Sequence, residues 1–243
     1  MFLGKYAELY DLFHANKNYK KDVLQIIKAI GFRETEGLLG FDFGCGTGVH
    51  AFEFEKLGVR VEGYDISEDM LATAQKKYPN LKFSQNLEDF NKQYDFTYSL
   101  FDVISYQVSR EAALNLITEL FLRTKSGSYC LVDSWNARGV LLDPPKTNER
   151  MVTTSFGDII RRVIPDSNRS SENLYELSIQ LLKHNSQKPF RTETHVLRAW
   201  SPEQVKEMMS SVGFEELVVF NPIDLDLQFE EDDWRFGVRA RKP

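Results

Sequence analysis

Cysteine is scarce in this chain, with only Cys45 and Cys130 among 243 residues and no spacing that would let them share a metal. A disulfide framework is therefore excluded, and a reducing cytoplasm is the expected compartment. Histidine is nearly as rare, and no two of His14, His50, His184 and His195 stand at a metal-ligand spacing, so no metal is expected. No apolar run approaches the roughly 18 residues needed to cross a bilayer. The opening MFLGKYAELYD carries charges and tyrosines where a signal peptide has an apolar core. Basic charge is not in excess either. Thirty Lys and Arg against 36 Asp and Glu leave a net −6, which argues against a surface that coats nucleic acid. Neither nucleic acid nor membrane is an expected partner.

What remains is ordinary globular material, 42% hydrophobic and 27% charged, enough for one large domain over 1–243 with its own core. Residues 1–36 read as helical, with Gly31 placed to end the last helix. Short apolar runs then alternate with helical patterns. Leu38–Phe43, Val59–Tyr64, Leu81–Phe83, Tyr94–Phe101 and Ser128–Asp133 read as strands; Val49–Leu57, a segment capped by Ser67, and Arg110–Arg123 read as helices. That order implies right-handed crossovers and a mostly parallel sheet covered on both faces. From about Val140 to Trp200 the helical period disappears. Met151–Ile164, Leu174–His184 and Thr192–Trp200 read as an antiparallel insertion. Ser201-Pro202 starts a further helix ending near Gly213, and Phe214–Phe220 and Trp234–Arg241 complete the sheet.

The sharpest local signal is Asp42-Phe43-Gly44-Cys45-Gly46-Thr47-Gly48, set between a strand and a helix. Glycines allow positive φ and close approach of a ligand, and the following helix offers unpaired N–H groups. Asp65 follows at the end of the second strand, where a carboxylate can accept from both hydroxyls of a ribose. A dinucleotide fingerprint would put its third glycine at Val49, one residue later than Gly48. Asp42 would also repel a pyrophosphate, whereas it suits a ligand bearing an ammonium. A turn that binds nothing is the plain alternative for the glycines alone.

These residues, with Val61-Glu62-Gly63-Tyr64-Asp65-Ile66-Ser67-Glu68-Asp69-Met70-Leu71, resemble the class I S-adenosylmethionine-dependent methyltransferases. The resemblance implies a Rossmann-like α/β fold: a seven-stranded sheet with helices on both faces and an antiparallel β insertion after the fifth strand. It extends to Tyr6-Ala7-Glu8-Leu9-Tyr10-Asp11 and His195–Ser201, and is most like the small-molecule branch that includes sugar-amine N-methyltransferases. It implies S-adenosyl-L-methionine as cofactor, held by Asp42, Gly44, Cys45, Gly46, Gly48 and Asp65, with Ile66 and Met70 near the adenine and Asn86, Leu87 and Leu100 as further contacts. Residues 1–36 become a lid from which Tyr10 reaches the cofactor, and 140–200 a cap over the substrate. Two positions depart from that pattern. Gln85-Asn86 stands where the family usually has Gly-Asp, and Tyr106 stands where the sugar-amine branch has a histidine.

Methyl transfer from a sulfonium needs alignment and exclusion of water more than an acid–base constellation. Tyr106 and Tyr10 are the candidate catalytic residues, Tyr106 first because it follows the fourth strand at the ligand-binding edge. Tyr6, Asp102, Tyr106 and Arg198 are the candidate contacts to a small-molecule acceptor. The packing alternatives are that Tyr6 and Tyr10 seat the first helix, and that His195 with Arg198 joins the insertion to the sheet. The acidic run Asp224, Asp226 and Glu230–Asp233 reads as a solvated loop or as a lure for a cationic amine. The expected activity is transfer of a methyl to N or O of a small polar metabolite by a monomer or homodimer. A nicotinamide-dependent oxidoreductase and a non-catalytic cofactor-binding protein are the alternatives.

Overall fold

The computed structural model describes residues 6–32, 34, 36–155, 157–166 and 173–243. The expected helical segment is two helices, α1 (Tyr6–Phe13) and α2 (Tyr19–Ile30). They separate because Asn18 caps α2 through the Lys21 amide, while the His14 ring donates to the Tyr10 carbonyl at the end of α1 at 2.7 Å. Gly31 adopts φ 73° and closes α2 as expected, and residues 1–5, 33 and 35 lie outside the described set. Then come β1 (Leu39–Phe43), α3 (Val49–Glu55), β2 (Arg60–Tyr64), α4 (Glu68–Lys77), β3 (Phe83–Ser84), β4 (Tyr94–Ser99), α5 (Arg110–Arg123) and β5 (Thr124–Trp135). Strand β3 is only two residues long, and β5 begins four residues before Ser128, running through Gly127.

After β5 a short helix that the sequence pattern did not suggest, α6 (Ala137–Leu142), leads to β6 (Asn148–Thr154), β7 (Gly157–Pro165), β8 (Leu174–Lys183) and β9 (Arg191–Arg198). The run Met151–Ile164 is thus two strands, folded back where Thr154 pairs with Gly157. The four form an antiparallel sheet in chain order. Finally α7 (Pro202–Val212), opened by a capping box from Ser201 and Gln204, precedes β10 (Glu215–Phe220) and β11 (Arg235–Arg241).

The large sheet runs β10-β11-β5-β4-β1-β2-β3, parallel except for β11, which is antiparallel to both neighbours. Strand order reverses between β1 and β4, the switch point at whose carboxyl edge open α/β sheets bind ligands. The glycine loop leaves β1 there, and residues 100–106 leave β4 beside it. Period-two alternation sends Phe41 and Phe43 to the core shared with α5 and α7; Phe96 and Tyr98 of β4 pack on the opposite face with α2 and α3. A third core joins Tyr6, Leu9 and Phe13 of α1 to Trp135, Val140 and the inner face of the small sheet. The N-terminal helix and the insertion are therefore one packed body at the ligand-binding edge.

Much of the acidic run has partners. Asp224 is 2.8 Å from Lys21, Asp226 pairs with Lys28, Asp232 is 2.6 Å from Arg138, and Asp233 accepts from Asn221 and the Glu230 amide. Asp224 and Asp226 thereby tie the run to α2, and Asp232 ties it to α6.

Candidate active site

The glycine loop owes its shape to two different demands. At Gly44, φ is 90° and a Cβ would lie 2.5 Å from the Val103 side chain, so packing alone excludes any other residue. At Gly46, φ is 55° and nothing lies within 4 Å of where a Cβ would point, which leaves the open approach that a ligand needs. The Gly44 and Cys45 amides donate to the Tyr64 carbonyl at 2.7 and 2.9 Å, fixing the loop to the end of β2. Asp65 bridges the two loops. One carboxylate oxygen accepts from the Gly46 amide and the other from the Ser67 amide, each at 2.8 Å. Each oxygen keeps a lone pair, so two hydroxyl donors can still be accommodated.

Asp42 is fully buried in the apolar layer between β1 and α3, and its Oδ2 has no hydrogen-bond partner among the described residues. Burial pushes its carboxyl up to about 8; nearby Asp65 adds to the rise, while the Tyr98 hydroxyl and Lys17 oppose it. A buried acid with an unfilled oxygen is an electrostatic demand that a ligand ammonium satisfies. The residues thus fit an adenosyl donor with an amino-acid end: Asp42 for the ammonium, Gly46 for close approach and Asp65 for ribose hydroxyls. Ile66, three-quarters exposed, lines with Leu87, Phe43 and Tyr64 a shallow cavity of about 460 Å³. Asn86 uses its side-chain carbonyl to cap the turn at 87–90 through the Glu88 amide, leaving one lone pair on that oxygen.

A larger cavity, about 800 Å³, opens between the carboxyl ends of β4 and β5, the start of the antiparallel β11, helix α2 and the insertion. Leu100 lines it, together with Lys146, Arg150 and Arg161 from the insertion side and the Asp143–Pro145 turn. Its floor carries a buried ion network. Arg235 of β11 donates to Asp102 and to Asp133, both at 2.8 Å, and Asp133 accepts from the Asp102 amide at 2.8 Å. That grip holds Phe101 and Asp102 at positive φ, 73° and 64°. The expected acceptor contact Asp102 is therefore committed to Arg235; burial and Asp133 raise its carboxyl to about 6 even so. Beside it Lys17 sits 2.9 Å from Asp22 and over the Phe101 ring, and burial lowers its ammonium to about 8. His50 Nε2 lies 3.2 Å from Asp22.

Tyr6 and Tyr10 stand edge to face 6.1 Å apart, Tyr10 packs on His14 at 4.1 Å, and Arg161 donates to the Tyr6 hydroxyl at 3.3 Å. Met70 packs against this group. Tyr106 is half exposed, and its Oη is 3.0 Å from His195 Nδ1 on β9. His195 thereby joins the insertion to the turn after β4. Arg198 lies over the Trp200 ring at 5.0 Å, in the packing layer rather than in the cavity wall. Cys45 is buried, and burial holds its thiol protonated. Lys17, Asp22, His50, Asp133 and Arg235 were not among the expected site residues. The partners of Arg235 are 133 and 102 positions away in sequence, beyond any local pattern.

Among the described residues no group of three or more His, Cys, Asp or Glu is placed to hold a metal ion, and no helix is long and apolar enough to cross a membrane. Residues 41–127 match the family described as a methyltransferase domain. The chain is 27% identical over 140 residues to dTDP-3-amino-3,4,6-trideoxy-alpha-D-glucopyranose N,N-dimethyltransferase of Streptomyces venezuelae, covering 56% of this chain and 59% of that protein. It is 45% identical over 65 residues to demethylmenaquinone methyltransferase of Chlorobaculum tepidum, covering 26% of each. It thus spans little more than half the length of the sugar-amine relative. In three dimensions it superposes on Streptomyces venezuelae DesVI with a TM-score of 0.78 at 17% identity, covering 100% of both chains. On the sugar N-methyltransferase KedS8 from Streptoalloteichus the TM-score is 0.77 at 17% identity, covering 100% of this chain and 96% of that one. The chain shares the fold of these methyltransferases, and residues 41–127 are similar to a methyltransferase domain.

Proposed function

We propose that the protein moves a methyl group from S-adenosylmethionine to the amine of a small polar acceptor, an amino sugar carried on a nucleotide being the favoured class. The observation that carries the reading is the buried, unpartnered Asp42 oxygen at the head of the glycine loop, which calls for a cation where a dinucleotide would place its pyrophosphate. The cofactor supplies a sulfonium-activated methyl; the chain supplies position and a dry site. Asp42 takes the ammonium, Asp65 the ribose hydroxyls, and Ile66, Leu87 and Leu100 apolar contact. The 800 Å³ cavity receives the acceptor. Lys146, Arg150 and Arg161 line it as donors for an anionic carrier group such as a diphosphate. Tyr106, half exposed beside His195, is the aromatic ring open to an approaching ammonium. The insertion and α1 act as cap and lid, because they share one core over the ligand-binding edge. The names of the sugar-amine relatives support nitrogen as the acceptor atom.

The test is incubation with labelled S-adenosylmethionine and dTDP-3-amino-3,4,6-trideoxy-alpha-D-glucopyranose, read by mass spectrometry. Label on the amine supports the proposal. Label only on phenols or carboxylic acids in a parallel panel, or consumption of a nicotinamide cofactor instead, would replace it.

A further inference from the structure

We propose that Tyr106, His195 and Glu193 form a proton relay that relieves the acceptor ammonium of its proton. The proposal deepens the methyltransferase reading and rests on it. Glu193 and His195 are two residues apart on β9, so they share one face of the strand, and β9 packs on the turn that ends in Tyr106. Tyr106 Oη lies 3.0 Å from His195 Nδ1, and His195 Nε2 lies 3.3 Å from Glu193 Oε2. The other Glu193 oxygen accepts from Arg191 at 2.6 Å, which locks the carboxylate in place. Phenol, imidazole and carboxylate stand in line, the arrangement that fixes a histidine tautomer with a free nitrogen toward the hydroxyl.

The chemistry follows from which member can hold a proton. A phenol already keeps its proton at neutral pH, and partial burial with Tyr6 and Asp102 nearby pushes Tyr106 further up, so Tyr106 is not itself the base. It can pass one on. A primary amine reaches the site mainly as an ammonium, with no lone pair to attack. In the relay one N–H bond of that ammonium breaks, its electron pair stays on nitrogen, and the proton goes to Tyr106 Oη. At the same time the Tyr106 O–H proton moves to His195 Nδ1. The imidazolium so formed keeps its Nε2–H on Glu193. Charge moves from ammonium to imidazolium, and the amine is left neutral. The charged and titratable groups facing this line are Tyr6 and Tyr10 from α1, Asp102 from the loop after β4, Arg161 from β7, and Arg191 with Glu193 from β9.

The deciding experiment is long-range proton–nitrogen NMR on the full chain with labelled histidine, above the ordinary imidazole pKa. The relay requires His195 with a proton on Nε2 and a bare, hydrogen-bonded Nδ1. Tyr106→Phe should move the Nδ1 signal alone, and Glu193→Gln should erase the tautomer preference. A proton on Nδ1, donating to Tyr106, overturns the relay. With the aminosugar nucleotide as acceptor, His195→Gln should lower kcat about 10²-fold with KM retained and change the shape of its pH profile. A wild-type profile in that variant also overturns it. S-adenosylhomocysteine titration separates the two readings: binding retained beside the wrong tautomer sinks only the relay, whereas no binding by the wild-type chain sinks the methyltransferase reading and the relay together.

Discussion

Thr47, inside the glycine loop, donates its hydroxyl to Asp11 of α1 at 2.5 Å, and the other Asp11 oxygen pairs with Lys77 of α4. Helix α1 is thus tied to the glycine loop and to α4, the helix that follows β2.

If that tie holds the lid shut, Asp11→Ala should speed S-adenosylhomocysteine release about tenfold or more, since hydrogen bonds to a charged group contribute about 1.5–3 kcal/mol each. The association rate should change little. Stopped-flow fluorescence would measure both, and an unaltered release rate would show that α1 moves independently of Asp11.

The elevated Asp42 carboxyl makes a prediction in which stability and binding part company. An unfolded Asp titrates near about 3.9; in the fold Asp42 does so at about 8. Between those values the folded state holds a proton that the unfolded state lacks, so this group's contribution falls as pH rises toward 8. Asp42→Asn should therefore raise the melting temperature of the cofactor-free protein, by more at pH 8 than near pH 4, while losing S-adenosylhomocysteine affinity. Binding to the wild-type chain near neutral pH should release about one proton, visible as a buffer-dependent enthalpy in titration calorimetry. A melting temperature unaffected by Asp42→Asn at every pH would mean the carboxylate is already satisfied.

Much of this was legible from local sequence. Ser67, Ser201 and Gly213 announce helix ends because capping is settled within a few residues. The glycine loop and Asp65 stood out for the same reason. The hairpin of β6 and β7 was missed because two consecutive strands of similar composition read as one run. The floor of the cavity was illegible for a different reason: Asp102, Asp133 and Arg235 meet only after β4, β5 and β11 pair. Lys17, Asp22 and His50 likewise assemble only when α2 docks on α3.

That floor yields a third prediction. Arg235 neutralises two buried acids, so Arg235→Met strands both and should destabilise the fold by about 3–5 kcal/mol. Adding Asp102→Asn and Asp133→Asn should recover most of the loss, because the uncompensated charges are gone. Denaturant melts of the single and triple variants provide the comparison. A triple variant as unstable as the single would point to lost packing rather than stranded charge.

Calorimetric titration of the wild-type chain and Asp65→Ala with S-adenosylhomocysteine goes most directly to the central claim. One site per chain is expected in the wild type, with a loss of about 2–4 kcal/mol in the variant, from two ribose hydrogen bonds to a charged acceptor. Undiminished affinity in Asp65→Ala, or heat from NADH in place of S-adenosylhomocysteine, would contradict it.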